Sequence, residues 1–196
     1  MKVKTLSRRL IIAISLGAIL LAITAYAAVT NILAVGTIPH SQLFDGPATV
    51  TVRTLTIKPG ETLAWHYHPG YAFNVVKSGT LTVEDGCGGE ETLTPAPSPD
   101  SAFEEMDGRV HRAKNLSATE DVVVYNTFIV PQGRPTTVNI PNNERRCGPP
   151  IDIDECKNDG WLKFNHPESF TNQGQCVDWV RHRSRVVLPV PADPLN

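Results

Sequence analysis

The chain has 196 residues, of which 41% are hydrophobic, so it can bury one core of ordinary size and carry an appendage. Two large domains do not fit in this length. A net charge of -2, with scattered basic residues, lacks the electrostatic footprint of nucleic-acid binding, and we expect no nucleic-acid partner.

The first predicted element is an export segment. Four basic residues within positions 2–9 precede an apolar run at 10–23, and Ala25-Tyr26-Ala27 has the A-x-A form of a cleavage site. We interpret residues 1–27 as a signal peptide. The alternative is an uncleaved membrane anchor, because residues 10–29 are long enough to span a bilayer. Either interpretation predicts bacterial-type export, to the medium or the cell envelope, and only the anchor predicts a membrane partner.

Residues 40–131 are predicted to form a barrel of short strands. The stretch "ATVTVRTLTI" alternates with period two, and "TLAWHYH", "YAFNVV" and "GTLTVED" follow between Pro-Gly and Ser-Gly breaks. The stretches "VHRAKNLS" and "DVVVYNTFIV" close the run, whereas residues 92–100 contain three prolines and are predicted to be a loop. Short strands without a helical period predict an all-β antiparallel sandwich or barrel.

The composition changes after Pro131. Residues 132–150 are rich in proline, asparagine and arginine and are predicted to form a strap or linker. Residues 151–180 are predicted to be a cysteine-bonded appendage, and residues 181–196 a flexible tail. Because exported proteins meet an oxidising compartment, we expect disulfides among the four cysteines, for which three connectivities exist.

A metal site is predicted around His66 and His68. Residues i and i+2 of a strand point to the same face, so both imidazoles enter the same space. A third imidazole, His111, lies on a later strand in "GRVHRAKN". Three neutral imidazoles suit one divalent transition metal, which we take to be iron, zinc, manganese or copper. The alternative is a set of hydrogen-bonded core histidines without a metal.

These residues resemble the two sequence motifs of the cupins. Seven positions over about residues 46–131 fall in register with the motifs: Gly60, His66, His68, Gly79, Gly108, His111 and Asn115. Met106 and Asp100 depart from the second motif, where proline and glycine are usual. The resemblance implies a cupin-type antiparallel β-barrel, also called a double-stranded β-helix or jelly roll. It also suggests a homodimer, since cupins often dimerise through outer strands.

One departure from the family concerns the metal ligands. The family's glutamate ligand falls on Ala72, so the ligand set carries over only as His66, His68 and His111. Glu105, just before the second motif, is the nearest carboxylate that could substitute by family geometry. Ala72 and Asn74 are predicted to line the cavity, and the candidate catalytic residues are Glu105 and Tyr125.

The stretch "WHYHPGYAFNVVKSGTLTV", with a cysteine after it, also resembles a group of small secreted bacterial cupins. In that group an apolar residue commonly replaces the glutamate. This resemblance implies a bond between Cys87 and Cys147, which would leave Cys156 to pair with Cys176.

Three functional hypotheses follow from the sequence. The first is a metal-dependent enzyme, dioxygenase-like or a hydrolase or isomerase, that acts on a small molecule in the barrel mouth. The second is a ligand-binding protein without turnover, which the apolar surroundings of the histidines favour. The third is a metal-free scaffold that presents the appendage to a partner.

Overall fold

The computed structural model describes residues 28–182, and its strands form two five-stranded antiparallel sheets. The predicted signal peptide at 1–27 and residues 183–196 of the predicted tail lie outside the described residues. The strands are β1 (Val29–Ser41), β2 (Gly46–Ile57), β3 (His66–Tyr67), β4 (Tyr71–Ser78), β5 (Leu81–Asp85), β6 (Glu90–Leu93), β7 (Ala102–Glu105), β8 (His111–Lys114), β9 (Val122–Pro131) and β10 (Val138–Asn139). The helix α1 spans Gln173–His182, and four short 3-10 helices lie at Pro99–Ser101, Pro141–Asn143, Asp154–Cys156 and Gly160–Lys163.

The first sheet has the strand order β1-β2-β9-β4-β7, and the second has the order β10-β3-β8-β5-β6. Burial alternates along β9, where Val122, Val124, Phe128 and Val130 face inward. The main core cluster joins side chains of both sheets, including Leu55, Val76, Leu81, Leu93 and Ala113. The predicted all-β cupin-type barrel is therefore confirmed.

Some strand boundaries differ from the sequence prediction. The structure extends the first sheet by β1, which pairs along most of β2 and begins before the predicted barrel start at residue 40. In sequence, the apolar residues of β1 resemble a continuation of the export segment. In the structure, the side chains of β1 are exposed rather than alternately buried. The predicted strand "TLAWHYH" is reduced to His66–Tyr67, because the Trp65 amide donates to the Asn143 side chain instead of to a neighbouring strand.

The C-terminal appendage is built around a disulfide and a short helix. Cys156 is bonded to Cys176, and Cys87 is bonded to Cys147, which is the pairing that the resemblance implied. Phe164 and Phe170 pack around the first of these bonds. Within residues 28–182, no helix is both long enough and apolar enough to cross a membrane. The two disulfides are consistent with an extracellular protein.

The appendage is joined to the barrel by aromatic packing and by a buried arginine. Trp179 of α1 packs on the barrel cluster that contains Trp65. The guanidinium of Arg109 contacts Asp85 of β5 at 2.7 Å and the two carboxylate oxygens of Glu155 at 2.9 and 3.1 Å. It also donates to the Pro149 carbonyl at 2.9 Å. This appendage junction therefore matches one buried positive charge with two carboxylates and a carbonyl.

Candidate metal centre

Two neighbouring strands bring three imidazoles together inside the barrel. His66 lies in β3 directly opposite His111 of β8, and His68 follows two residues later on the same face as His66. One ring nitrogen from each of the three lies within 4.8 Å of the others. The three residues are at most 7% exposed, so the cluster is buried in the barrel interior.

The other ring nitrogen of each imidazole is fixed by a backbone carbonyl. The three Nδ1 contacts are His66 with Ala64 O at 2.7 Å, His68 with Thr136 O at 2.6 Å and His111 with Arg109 O at 2.9 Å. A carbonyl oxygen can only accept, so Nδ1 carries the proton in each neutral ring and Nε2 keeps its lone pair. This is the tautomer that a metal-binding histidine needs.

A carboxylate reaches the cluster from the adjacent strand. Ala72 of β4, which stands at the family's glutamate position, is paired directly opposite Glu105 of β7. The Glu105 oxygens lie 3.1 Å from His68 Nε2 and 3.0 Å from His111 Nε2. His111 Nε2 is nevertheless buried without a hydrogen bond, because the short contact does not have hydrogen-bond geometry. The structure thus brings together the three predicted ligands and the predicted substitute carboxylate.

The charges in this cluster are strongly coupled. Burial lowers the pKa of His66 to about 3, with further lowering by the two neighbouring histidines, and burial also lowers the pKa of His68. Burial opposes ionisation of Glu105 and His111, but their mutual attraction outweighs it, so the pKa of Glu105 falls well below its ordinary value and that of His111 rises. Glu105 is therefore held in its ionised form beside His111, which favours positive charge among these groups.

A family model described as a cupin domain matches residues 53–129. Over these residues the chain is similar to cupin domains. No curated protein matches the chain.

Similar solved structures come from several bacteria. A cupin-like protein from Thermotoga maritima is 18% identical with a TM-score of 0.42, and the match covers 58% of this chain and 75% of that chain. A cupin domain from Bordetella pertussis is 22% identical with a TM-score of 0.38, over 52% of this chain and 92% of that one. A double-stranded β-helix protein from Klebsiella pneumoniae is 23% identical with a TM-score of 0.38, over 46% and 73%.

A row of polar side chains crosses the inner face of the cupin domain and ends at Glu105. Strand register places Arg53 of β2 opposite Asn126 of β9, and Asn126 opposite Asn74 of β4. Arg53 Nε donates to Asn126 Oδ1 at 3.2 Å, and Asn126 Nδ2 donates to Asn74 Oδ1 at 2.7 Å. Asn74 Nδ2 then donates to Glu105 Oε2 at 3.0 Å. Asn74 lies near the site as predicted, whereas Arg53 and Asn126 were not identified from sequence.

The expectation that Tyr125 lies near the cavity is wrong. Tyr125 is 38% exposed on the outer face of β9, with Lys77 Nζ 5.5 Å from its ring. Side chains alternate along a strand, so Asn126 takes the inward position instead. The period-two pattern from Val122 and Val124 would have pointed to Asn126.

Two cavities flank the histidine cluster. The inner one has a volume of about 30 Å³, and the outer one, between the β5–β8 side and β7, has about 360 Å³. Phe103 and Glu105 line both cavities, so these side chains separate them. The inner cavity has room for an ion with one or two water-sized ligands, while the outer one has the volume of a small-molecule site.

Proposed function

We propose that the cupin domain binds one divalent transition metal through His66, His68 and His111, with the Glu105 carboxylate completing the ligand set. One observation carries this proposal. Three imidazole lone pairs and a carboxylate converge in the barrel interior, and His111 Nε2 has no hydrogen-bond donor there. Such a donor set suits iron, zinc, manganese or copper.

The chain's own residues would orient and isolate that ion. The three backbone carbonyls fix the imidazole tautomers, and the Asn74 amide fixes one oxygen of Glu105. Phe128 packs against the His68 ring with a centroid distance of 4.9 Å and keeps water from that side. When bound, the metal supplies a Lewis acid at the inner end of the outer cavity.

A small molecule would approach from the outer cavity. Glu105 and His111 both belong to its wall, and its volume of about 360 Å³ is in the range of small-ligand pockets. We propose that the protein acts on or binds a small molecule there. Binding without turnover is the second candidate, and it is supported by the apolar side chains beside the histidines, which include Leu55, Leu63 and Phe128.

We also propose that the protein is exported. Residues 1–27 have the composition of a cleavable signal, and the two disulfides are suited to an oxidising compartment. The mass of the mature N-terminus, measured on protein from the exported fraction, tests this proposal. A mature chain that begins at Ala28 would support cleavage, and an intact chain held in the membrane fraction would support an anchor.

Elemental analysis tests the metal proposal. We expect near-stoichiometric transition metal in the untagged wild-type protein and little in His111→Ala, because a ligand is lost. Glu105→Gln should bind metal about ten to a hundred times more weakly, since the ligand set loses its negative charge. His40→Ala is the matched control, because His40 is an exposed histidine on β1.

Two outcomes would contradict the metal proposal. If wild-type protein remains metal-free after incubation with iron, zinc, copper and manganese, the histidines are a hydrogen-bonded core cluster and the scaffold hypothesis gains support. If His111→Ala retains the metal content of His40→Ala, the metal lies elsewhere.

A further inference from the structure

Arg53 is a charged side chain on the inner face of the barrel. It lies on β2 between the inward-facing Thr51 and Leu55, and it lines the inner cavity together with His66 and His68. Its guanidinium carbon lies 4.4 Å from the centre of the Phe128 ring. The positive charge is therefore held beside the metal ligands and away from the outer surface.

This guanidinium is only partly satisfied. Nε donates to Asn126, but Arg53 forms no ion pair with any residue between 28 and 182, and its two Nη groups donate no hydrogen bond within that range. Burial lowers the pKa of Arg53, while the more distant Glu105 charge raises it. Arg53 is partly buried and has no counter-charge among residues 28–182, so its Nη donors are suited to a ligand.

Arg53 does not serve as a direct partner of Glu105. Two asparagine amides stand between them, and Glu105 already accepts a hydrogen bond from Asn74. The amide relay fixes the orientation of the guanidinium through Nε alone. Both Nη groups thus remain available at the cavity, in the planar arrangement that recognises anions.

We propose that Arg53 and the metal centre together bind a small anion in the inner cavity. The proposal rests on metal binding as proposed above and names the ligand class of that site. The volume of about 30 Å³ limits the anion to about three heavy atoms or fewer. A cationic metal on one side and a guanidinium on the other favour negative charge over a neutral molecule of the same size.

Azide titration of the Co(II)-loaded protein tests this proposal, because azide is a small anion and the visible spectrum of Co(II) reports on its binding. In Arg53→Met we expect Co(II) to be retained, because Arg53 is not among the proposed ligands and reaches Glu105 only through two asparagine amides. The azide dissociation constant should rise about tenfold or more, the loss expected for charge-assisted hydrogen bonds. Arg53→Lys keeps the charge but not the planar donors and should fall between Arg53→Met and wild type.

Arg112→Met is the matched control. Arg112 also stacks on an aromatic ring, with its guanidinium carbon 4.4 Å from the centre of Trp65, but it lies outside the inner cavity and pairs with Glu84. The substitution makes the same change in net charge. Azide affinity in Arg112→Met should therefore stay within about twofold of the wild-type value.

The outcomes separate the two proposals. Wild-type protein that takes up no Co(II) would overturn both. Co(II) uptake with no spectral response to azide would overturn the anion site and leave metal binding standing. Equal azide affinity in wild type and Arg53→Met would show that the metal binds the anion without Arg53, which also overturns this inference. If Arg53→Met loses Co(II), the azide affinity of Arg53→Lys is compared with that of wild type instead. Equal affinity in these two proteins would likewise overturn the inference.

Discussion

The inner cavity contains a partly buried arginine and the appendage junction a buried one, and the two side chains have opposite surroundings. Arg109 at the junction contacts Asp85, Glu155 and a backbone carbonyl. Arg53 in the cavity has one amide partner and an aromatic ring. An arginine whose charge is paired with carboxylates of the same protein stabilises the fold. An arginine whose hydrogen-bond donors lack partners is suited to bind a ligand.

This difference assigns separate roles to the two regions. Removing one member of a buried ion pair strands its partner, which is strongly destabilising, whereas replacing an unmatched charge by an apolar side chain is often neutral or stabilising. Changes at the junction should therefore reduce folding stability, and changes in the cavity should reduce binding. The following predictions test that separation, beginning with the largest expected effect.

Loss of the disulfide beside the junction should have the largest effect on stability. Cys87 and Cys147 are separated by 60 residues, so replacing both by serine should reduce the free energy of unfolding by about 4 kcal/mol on the chain-entropy account. Removal of the Cys156–Cys176 bond, with a separation of 20, should cost about 3 kcal/mol. Urea unfolding measures both, and a smaller loss for the longer loop would contradict this order.

Glu155→Gln should destabilise the junction by about 2 kcal/mol, since Arg109 keeps Asp85 but loses one carboxylate. Urea unfolding again gives the value. Glu168→Gln is the control, because Glu168 is exposed in the same appendage. An equal, small effect of both substitutions would show that Arg109 is not the main link between appendage and barrel.

The junction should also give the protein a pH dependence through His166. Burial, aided by the charge of Arg146, lowers the pKa of His166 from 6.5 to about 4. Between these values the unfolded chain binds a proton that the folded protein does not, so stability is complete above pH 6.5 and falls as the pH drops toward 4. His166→Gln should flatten the curve of unfolding free energy against pH in that interval, and an unchanged slope would show that His166 contributes nothing to it.

The smallest effect on stability is expected for Arg53→Met in the metal-free protein. Its unfolding free energy should fall by no more than about 1 kcal/mol, because the substitution removes the Nε hydrogen bond to Asn126 but also a charge without a counter-charge. Thermal and urea unfolding provide the measurement. A loss comparable to that of Glu155→Gln would show that Arg53 is a structural residue and would remove the contrast between the two arginines.

Part of the metal centre could be predicted from sequence because its signals are local. The spacing of His66 and His68 places both on one face, and the second-motif match supplies His111. Glu105 was a candidate by family geometry, but its pairing opposite Ala72 depends on strand register, which no local pattern specifies. Arg53 and Asn126 belong to a row that forms only when β2, β9 and β4 align, and so they were missed.

The strands also divide into those that a local sequence pattern predicts and one that it does not. Alternating stretches such as β2 and β9 were recognised as strands because one face is buried. The strand β1 was missed because its side chains are almost all exposed and it is held by pairing with β2, which comes later in the sequence. Tyr125 was predicted to lie near the cavity because it is polar, but its position in the strand alternation places it on the outer face of β9.

Arg109 connects the appendage to the histidine cluster. Its side chain bonds to Glu155 of the appendage, while its backbone carbonyl holds Nδ1 of His111. If docking of the appendage strengthens metal binding at His111, then metal binding must stabilise the docked appendage by the same free energy. Metal binding in the barrel should then slow proteolysis of the C-terminal appendage, although no appendage residue belongs to the proposed ligand set.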